Sequence, residues 1–169
     1  SLIHFWPGDA ISIRGRDPLP EGRWIQIGLA YDGSSRADGL GIYVDGSPIE
    51  VEVVRDRLTK SITGGAPGAM TIGQRFRDRG FKDGEVDHLQ IFDRALTPVE
   101  WRHLHQTPGA TVDDANEPDR DDWFAYHRAT LDPARKATRE ALREDRRELG
   151  QLLDRTPEIM VMADFDPPR

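Results

Sequence analysis

Between Gly84 and Trp101 the chain reads Gly-Glu-Val-Asp-His-Leu-Gln-Ile-Phe-Asp-Arg-Ala-Leu-Thr-Pro-Val-Glu-Trp, and no other stretch restricts the fold as tightly. Val86, Leu89, Ile91 and Phe92 make a short β-rich apolar run. Thr97 with Glu100 three residues on is a capping box, and Pro98 stands at the first helical position, where proline's missing N–H costs nothing. The stretch therefore predicts a strand, a turn and a helix that starts at Thr97. That helix should end near His105, because Thr107-Pro108-Gly109 is a stop signal.

The residues before it read as strands. Leu2 to Trp6 and the run through Ala10, Ile11 and Ile13 form a hairpin about the Pro7-Gly8-Asp9 turn signal. Trp24 to Tyr31 alternates, with Ile25, Ile27, Leu29 and Tyr31 on one face, and Leu40, Ile42 and Val44 form another alternating strand that Asp45-Gly46 turns back. Ile49, Val51 and Val53 alternate with Glu50 and Glu52, so this return strand is expected to pair with residues 40–44, with one face solvated. Met70 to Gly73 adds a short strand, and Arg75 to Asp83 is a charged loop. About seven short strands separated by turns predict a mainly β protein, an antiparallel β-sandwich with a C-terminal α-helical extension. Without crossover helices a parallel sheet is excluded.

With 169 residues the chain accommodates one ordinary domain and an appendage. The expected division is a sandwich over residues 1–109, an acidic linker over 110–120 containing Asp113, Asp114, Glu117 and Asp119, and a helical segment over 121–169 that opens a following domain. In that segment Asp122 to Thr130 reads as a short helix, and Asp132 before Pro133 caps a longer one reaching about Asp154. Ala134, Ala137, Ala141, Leu149, Leu152 and Leu153 lie near one stripe, which needs a partner surface. A net charge of −7 argues against a nucleic-acid partner, which requires a concentrated basic surface. Cysteine is absent, so neither disulfides nor thiolate metal sites occur, and no run is long and apolar enough for a membrane span.

Five blocks stand in a recognisable order: Gly22-Arg23-Trp24, Tyr31-Asp32-Gly33-Ser34, Gly41-Ile42-Tyr43-Val44-Asp45-Gly46, Thr71-Ile72-Gly73-Gln74 and Gly84-Glu85-Val86-Asp87. Together with the segment running on to Trp101, they resemble laminin-G-like domains of the concanavalin A-like jelly-roll class. The departures are His88, where that pattern usually has Glu, and Gln26, where it often has His. The family carries more strands before the Trp block, so the resemblance implies that N-terminal strands are missing here. Ile159-Met160-Val161-Met162 followed by Pro167-Pro168-Arg169 resembles a segment of large exported bacterial proteins of planctomycete type, in which cytochrome c-like and other domains flank a laminin-G-like insertion. That resemblance implies a multidomain parent in the periplasm or outside the cell, with the flanking domains as partners.

Catalysis by a jelly-roll glycosidase needs paired carboxylates on one strand face. Glu50 and Glu52 offer only Glu-Val-Glu, without the longer Glu-x-Asp-x-x-Glu pattern, and read as solvated strand positions; no catalytic residue is assigned. Asp32, Asp45 and Asp87, with Asp93, could contribute oxygens to a calcium ion, although Asp32 and Asp45 stand before Gly in turns, where local hydrogen bonds explain them more simply. His103 and His105 lie two apart on the helix and share no face, so a metal pair is improbable. The loop through Arg75, Phe76 and Phe81 interleaves bases with aromatics; it reads first as a solvated loop pinned by its Phe residues, and these three with His88 are the candidates for ligand binding. The resemblance implies a non-catalytic carbohydrate- or surface-polymer-binding module. A structural spacer is the alternative, and a glycoside hydrolase is least supported.

Overall fold

The computed structural model describes residues 1–5, 8–62, 72, 83–106 and 117–157. In chain order these form β1 (Leu2–Phe5), β2 (Asp9–Gly15), β3 (Ile27–Tyr31), a 3-10 turn at Ala37–Gly39, β4 (Leu40–Val44), β5 (Ser47–Pro48), β6 (Val51–Arg57), α1 (Pro98–His105), α2 (Arg120–Tyr126) and α3 (Pro133–Arg155). The strands make two antiparallel three-stranded sheets, ordered β1-β2-β6 and β3-β4-β5. Helical residues outnumber strand residues among those described, which departs from the mainly β expectation.

β1 and β2 form the expected opening hairpin. The return strand does not pair as its alternation suggested: β6 lies antiparallel to β2, with Ala10 opposite Arg57 and Gly15 opposite Val51. Pro48 has no N–H to extend the ladder with β4, so β5 is only two residues long. The chain then changes sheets within two residues. Ile49 N–H donates to Ile42 O at 3.0 Å on one side, and Glu50 O accepts from Arg16 N–H at 3.1 Å on the other.

Ile11, Ala37 and Leu58 are buried, and Leu2, Ile13, Tyr31 and Leu40 pack against them, so both sheets contribute to this cluster. Its rim is tied by polar contacts: Ala37 N–H donates to Asp56 Oδ1 at 2.8 Å, and the Thr59 hydroxyl donates to Asp9 Oδ2 at 2.8 Å.

Residues 86–92 are not a strand. Val86, Leu89, Ile91 and Phe92 are exposed, Ile91 at 72%, and the segment pairs with no described neighbour. His88 takes φ 51, which breaks the extended alternation that the apolar run would need. Residues 24–26 likewise stay outside β3. Of the proposed strand at 70–73, all but Ile72 falls outside the described residues.

α1 occupies its expected span. Glu100 accepts from both the N–H and the hydroxyl of Thr97, each at 2.9 Å, and Pro98 is the first helical residue. α2 begins two residues earlier than expected, because Asp119 Oδ1 accepts the Asp122 N–H at 2.8 Å and so caps the helix at 119. A π-helical turn at His127–Leu131 follows. Asp132 then caps α3 through the N–H groups of Ala134 and Arg135. The apolar stripe of α3 lies exposed, with no residue of that helix buried. Hydrogen bonds from this helix to other described residues include Arg146 Nη1 to Asp32 O at 2.9 Å, Ser61 N–H to Asp154 Oδ1 at 3.2 Å and Arg139 Nη2 to Ala129 O at 2.7 Å.

Candidate functional site

The most organised polar and aromatic surroundings lie where α1 meets the β3–β4 pair. Gly28 of β3 stands opposite Tyr43 of β4. Its lack of a side chain admits Trp101, since a Cβ there would fall 2.5 Å from Trp101 Cζ3. Trp101 is 7% exposed and stacks on Tyr43 with ring centroids 4.8 Å apart and planes 22° apart. Burial, and then the charge of Asp122, pushes the Tyr43 phenol above its ordinary pKa. Ile27 and Leu29, on the other face of β3, are exposed, Leu29 at 74%.

Asp45 anchors the turn beside this contact. It takes φ 49 and Gly46 takes φ 77, the two left-handed positions of a tight hairpin. Asp45 Oδ1 accepts from Gln26 N–H at 2.9 Å, Oδ2 accepts from Arg23 Nη2 at 2.8 Å, and His105 Nδ1 stands 4.0 Å from Oδ1. Burial alone would raise the Asp45 pKa, but the Gln26 N–H, Arg23 and His105 outweigh it and hold the carboxyl below its usual range. Gly46 lies against α1: a Cβ there would sit 2.9 Å from His105 Cβ and 3.1 Å from Arg102 Cα. Gly46→Ala is thus expected to cost about 1–3 kcal/mol from left-handed strain alone. Urea unfolding tests this, and an unchanged midpoint would show that Gly46 is not held in the left-handed region.

α1 in turn holds α2. Arg102 Nη1 donates to Asp122 Oδ2 at 2.6 Å, and both side chains are largely buried. Gln26 Oε1, Trp101 Nε1 and Arg102 Nε are buried in this region without a hydrogen-bond partner among the described residues. Beyond the ion pair, α2 presents Trp123 and Phe124 to solvent. Trp123 meets Tyr126 edge to face at 6.1 Å and 87°, and the Arg128 guanidinium lies 5.2 Å over the Phe124 ring.

The acidic residues singled out from the sequence have individual, local roles here. Asp32 Oδ1 accepts the Ser34 N–H at 2.8 Å in an Asx turn. Asp87 accepts the N–H of His88 at 2.8 Å, and its other oxygen lies 3.0 Å from His88 Nδ1. Asp45 is bound as described above. Among the described residues no three acidic or histidine side chains are gathered as a metal-binding group. His88 is exposed, whereas Arg75, Phe76 and Phe81 lie outside the described residues. Glu50 and Glu52 are ion-paired across the sheet, Glu50 with Arg16 at 3.4 Å and Glu52 with Arg14. A small cleft of about 100 Å³ opens between the Asp17–Pro20 loop and Val44, Ile49 and Glu50; ligand sites for drug-sized molecules run to about 300–1,000 Å³.

Sequence reasoning missed the Gly28–Tyr43–Trp101 contact and the Arg23–Asp45 pair. The one available signal was that Arg23 and Asp45, like Tyr43 and Trp101, sit in separate parts of the same family-like pattern, which does not include Gly28. The Trp123–Tyr126 corner had a local signal, two aromatics three apart on a helix.

Comparison with known proteins places these blocks together. A search of curated proteins finds no match. One solved structure resembles the chain, an S-layer domain-containing protein from Clostridium thermocellum, with 20% identity over 54% of this chain and 43% of that one and a TM-score of 0.39. The chain thus spans less than half of that structure. No described helix is long and apolar enough to cross a membrane. Residues 3–100, more than half of the chain, match the sequence pattern of one family, and by that match the chain belongs to the concanavalin A-like lectin/glucanases superfamily.

Proposed function

We propose that this chain is a non-catalytic module that binds a carbohydrate or another surface polymer, within an exported multidomain protein. The proposed architecture is a β-sandwich over residues 1–109, whose two sheets share the Ile11 cluster, followed by the 110–120 linker and a helical segment from 121. The observation that carries the reading is the state of Glu50 and Glu52, the carboxylate pair that the sequence offers for glycoside chemistry. Glu50 and Glu52 each pair with an arginine on open surface, with side chains 79% and 44% exposed, and the small cleft beside Glu50 is too shallow to enclose a glycosidic bond between two carboxyls. The superfamily supplies the sugar-binding expectation by analogy. Arg75, Phe76, Phe81 and His88 are the rim residues proposed for contact, and Asp32, Asp45 and Asp87 the proposed calcium ligands.

The test is to incubate the full chain with soluble and insoluble polysaccharides and to follow both bound protein and released reducing ends. Binding without release is expected. Release that disappears in Glu50→Gln overturns the non-catalytic reading.

A second reading, a spacer that packs against neighbouring domains, draws support from the uncovered apolar surface of Ile27 and Leu29 on β3 and of Val86, Leu89 and Ile91.

A further inference from the structure

We propose that the Trp123–Tyr126 corner on α2 is a sugar-stacking site that takes the apolar face of a neutral pyranose, outside the superfamily-matched residues 3–100. The proposal rests on the carbohydrate-binding reading and gives it a place on the molecule.

Two observations converge on this corner. Trp123 is 52% exposed, so about half of its side chain is open to a ligand. Tyr126, one turn along on the same side of α2, stands nearly perpendicular to it at 87°, so the two rings form a floor and a wall rather than a flat patch. The C–H bonds on one face of a pyranose carry slight positive charge and suit the negative face of an indole. A wall at right angles would fix the ring's position along that floor.

The surroundings favour a hydroxylated ligand over an apolar partner surface. Asp119 and Arg120 precede Trp123 by four and three residues, and so neighbour it on the helix, and Asp121 is also exposed. Donors and acceptors of both signs therefore flank the rings, which matches the mixed hydrogen bonding of sugar hydroxyls and not a dry protein contact. The corner is also mounted firmly. Asp119 caps α2, and Asp122 is clasped by Arg102 of α1 at 2.6 Å, with side chains 18% and 16% exposed. A platform whose orientation is set by a largely buried ion pair binds without first having to be ordered.

The experiment is isothermal titration of the full chain with cellohexaose, mannohexaose and chitohexaose, comparing wild type with Trp123→Ala, Trp123→Phe, Arg102→Gln and Phe124→Ala. Thermal unfolding and circular dichroism report on folding in parallel. Expected are a measurable affinity of the wild type for at least one probe, a loss of about tenfold or more in Trp123→Ala, and partial retention in Trp123→Phe, which keeps a ring without the indole's breadth. Arg102→Gln deletes no ring but releases the mount, and should weaken binding severalfold; Phe124→Ala, on the flank covered by Arg128, should bind like wild type. If the wild type binds a probe and Trp123→Ala and Trp123→Phe bind it equally well, the corner is not the site, while the carbohydrate-binding reading stands. If the wild type binds none of these probes and no glycan more broadly, both fail together.

Discussion

Trp101→Ala is expected to remove about 3–5 kcal/mol of stability, the range typical of large aromatic deletions from packed interiors. Native domains hold only about 5–15 kcal/mol in total, so this variant should be close to unfolding. The ring is 7% exposed, stacks on Tyr43 and fills the space left open by Gly28. Deleting it leaves a cavity between α1 and the β3–β4 pair and loosens the helix that carries Arg102. Gly28→Val should disturb the same contact from the opposite side, because its side chain would occupy the position of the indole. Urea titration of each variant measures the effect. A Trp101→Ala loss below about 0.5 kcal/mol, the usual size of a surface change, would show that α1 is not docked through this ring.

The second large effect is set by pH. The Arg94 hydrogen bond, opposed by burial and reinforced by the Thr97 N–H and hydroxyl, lowers the Glu100 pKa from 4.5 to about 2. A carboxyl whose folded pKa is depressed contributes stability that is fully present above its unfolded value. That contribution is then lost as pH falls from about 4.5 toward about 2. Glu100→Gln keeps the shape but not the charge, and should cost about 1.5–3 kcal/mol at neutral pH, the range for hydrogen bonds to charged groups. It should also flatten this part of the acid limb. Urea midpoints of both proteins across that acid range test the assignment. If the two curves stay parallel, Glu100 is not the group responsible.

What could be read in advance followed the range of the forces involved. The start of α1 at Thr97–Pro98 and the Asp45–Gly46 turn were legible because each is decided within four residues, by a capping carboxylate in one case and by left-handed backbone in the other. The helix from Asp132 was legible for the same reason. The partner of β6 was not. Its alternation is satisfied equally well beside β4 or β2; in the structure Pro48, which lacks an N–H, stands in the short β5 beside β4, and the following residues pair with β2. Residues 86–92 had the composition of a strand, but a strand exists only where a neighbour accepts its hydrogen bonds, and among the described residues none does. Within the candidate site, the pattern of blocks placed Arg23, Asp45 and Trp101 in one family, yet not in contact. Side chains that meet across 22 residues or more leave no mark in local periodicity.

The same distinction applies to the surfaces left uncovered. Leu29 on β3 and Ile91 in the unpaired segment are more exposed than single surface hydrophobes need to be, and α3 carries its leucines outward. A binding module and a packing module both use such surface. They differ in whether a sugar alone, with no neighbouring domain present, is retained.

A glycan array probed with the full chain, once in calcium and once in chelator, therefore tests the central claim most directly. Binding to a defined set of glycans is predicted; a signal lost in chelator would assign calcium to the site, and one that persists would remove it. Absence of binding under both conditions would contradict the carbohydrate-binding function and leave interdomain packing as the role of these surfaces.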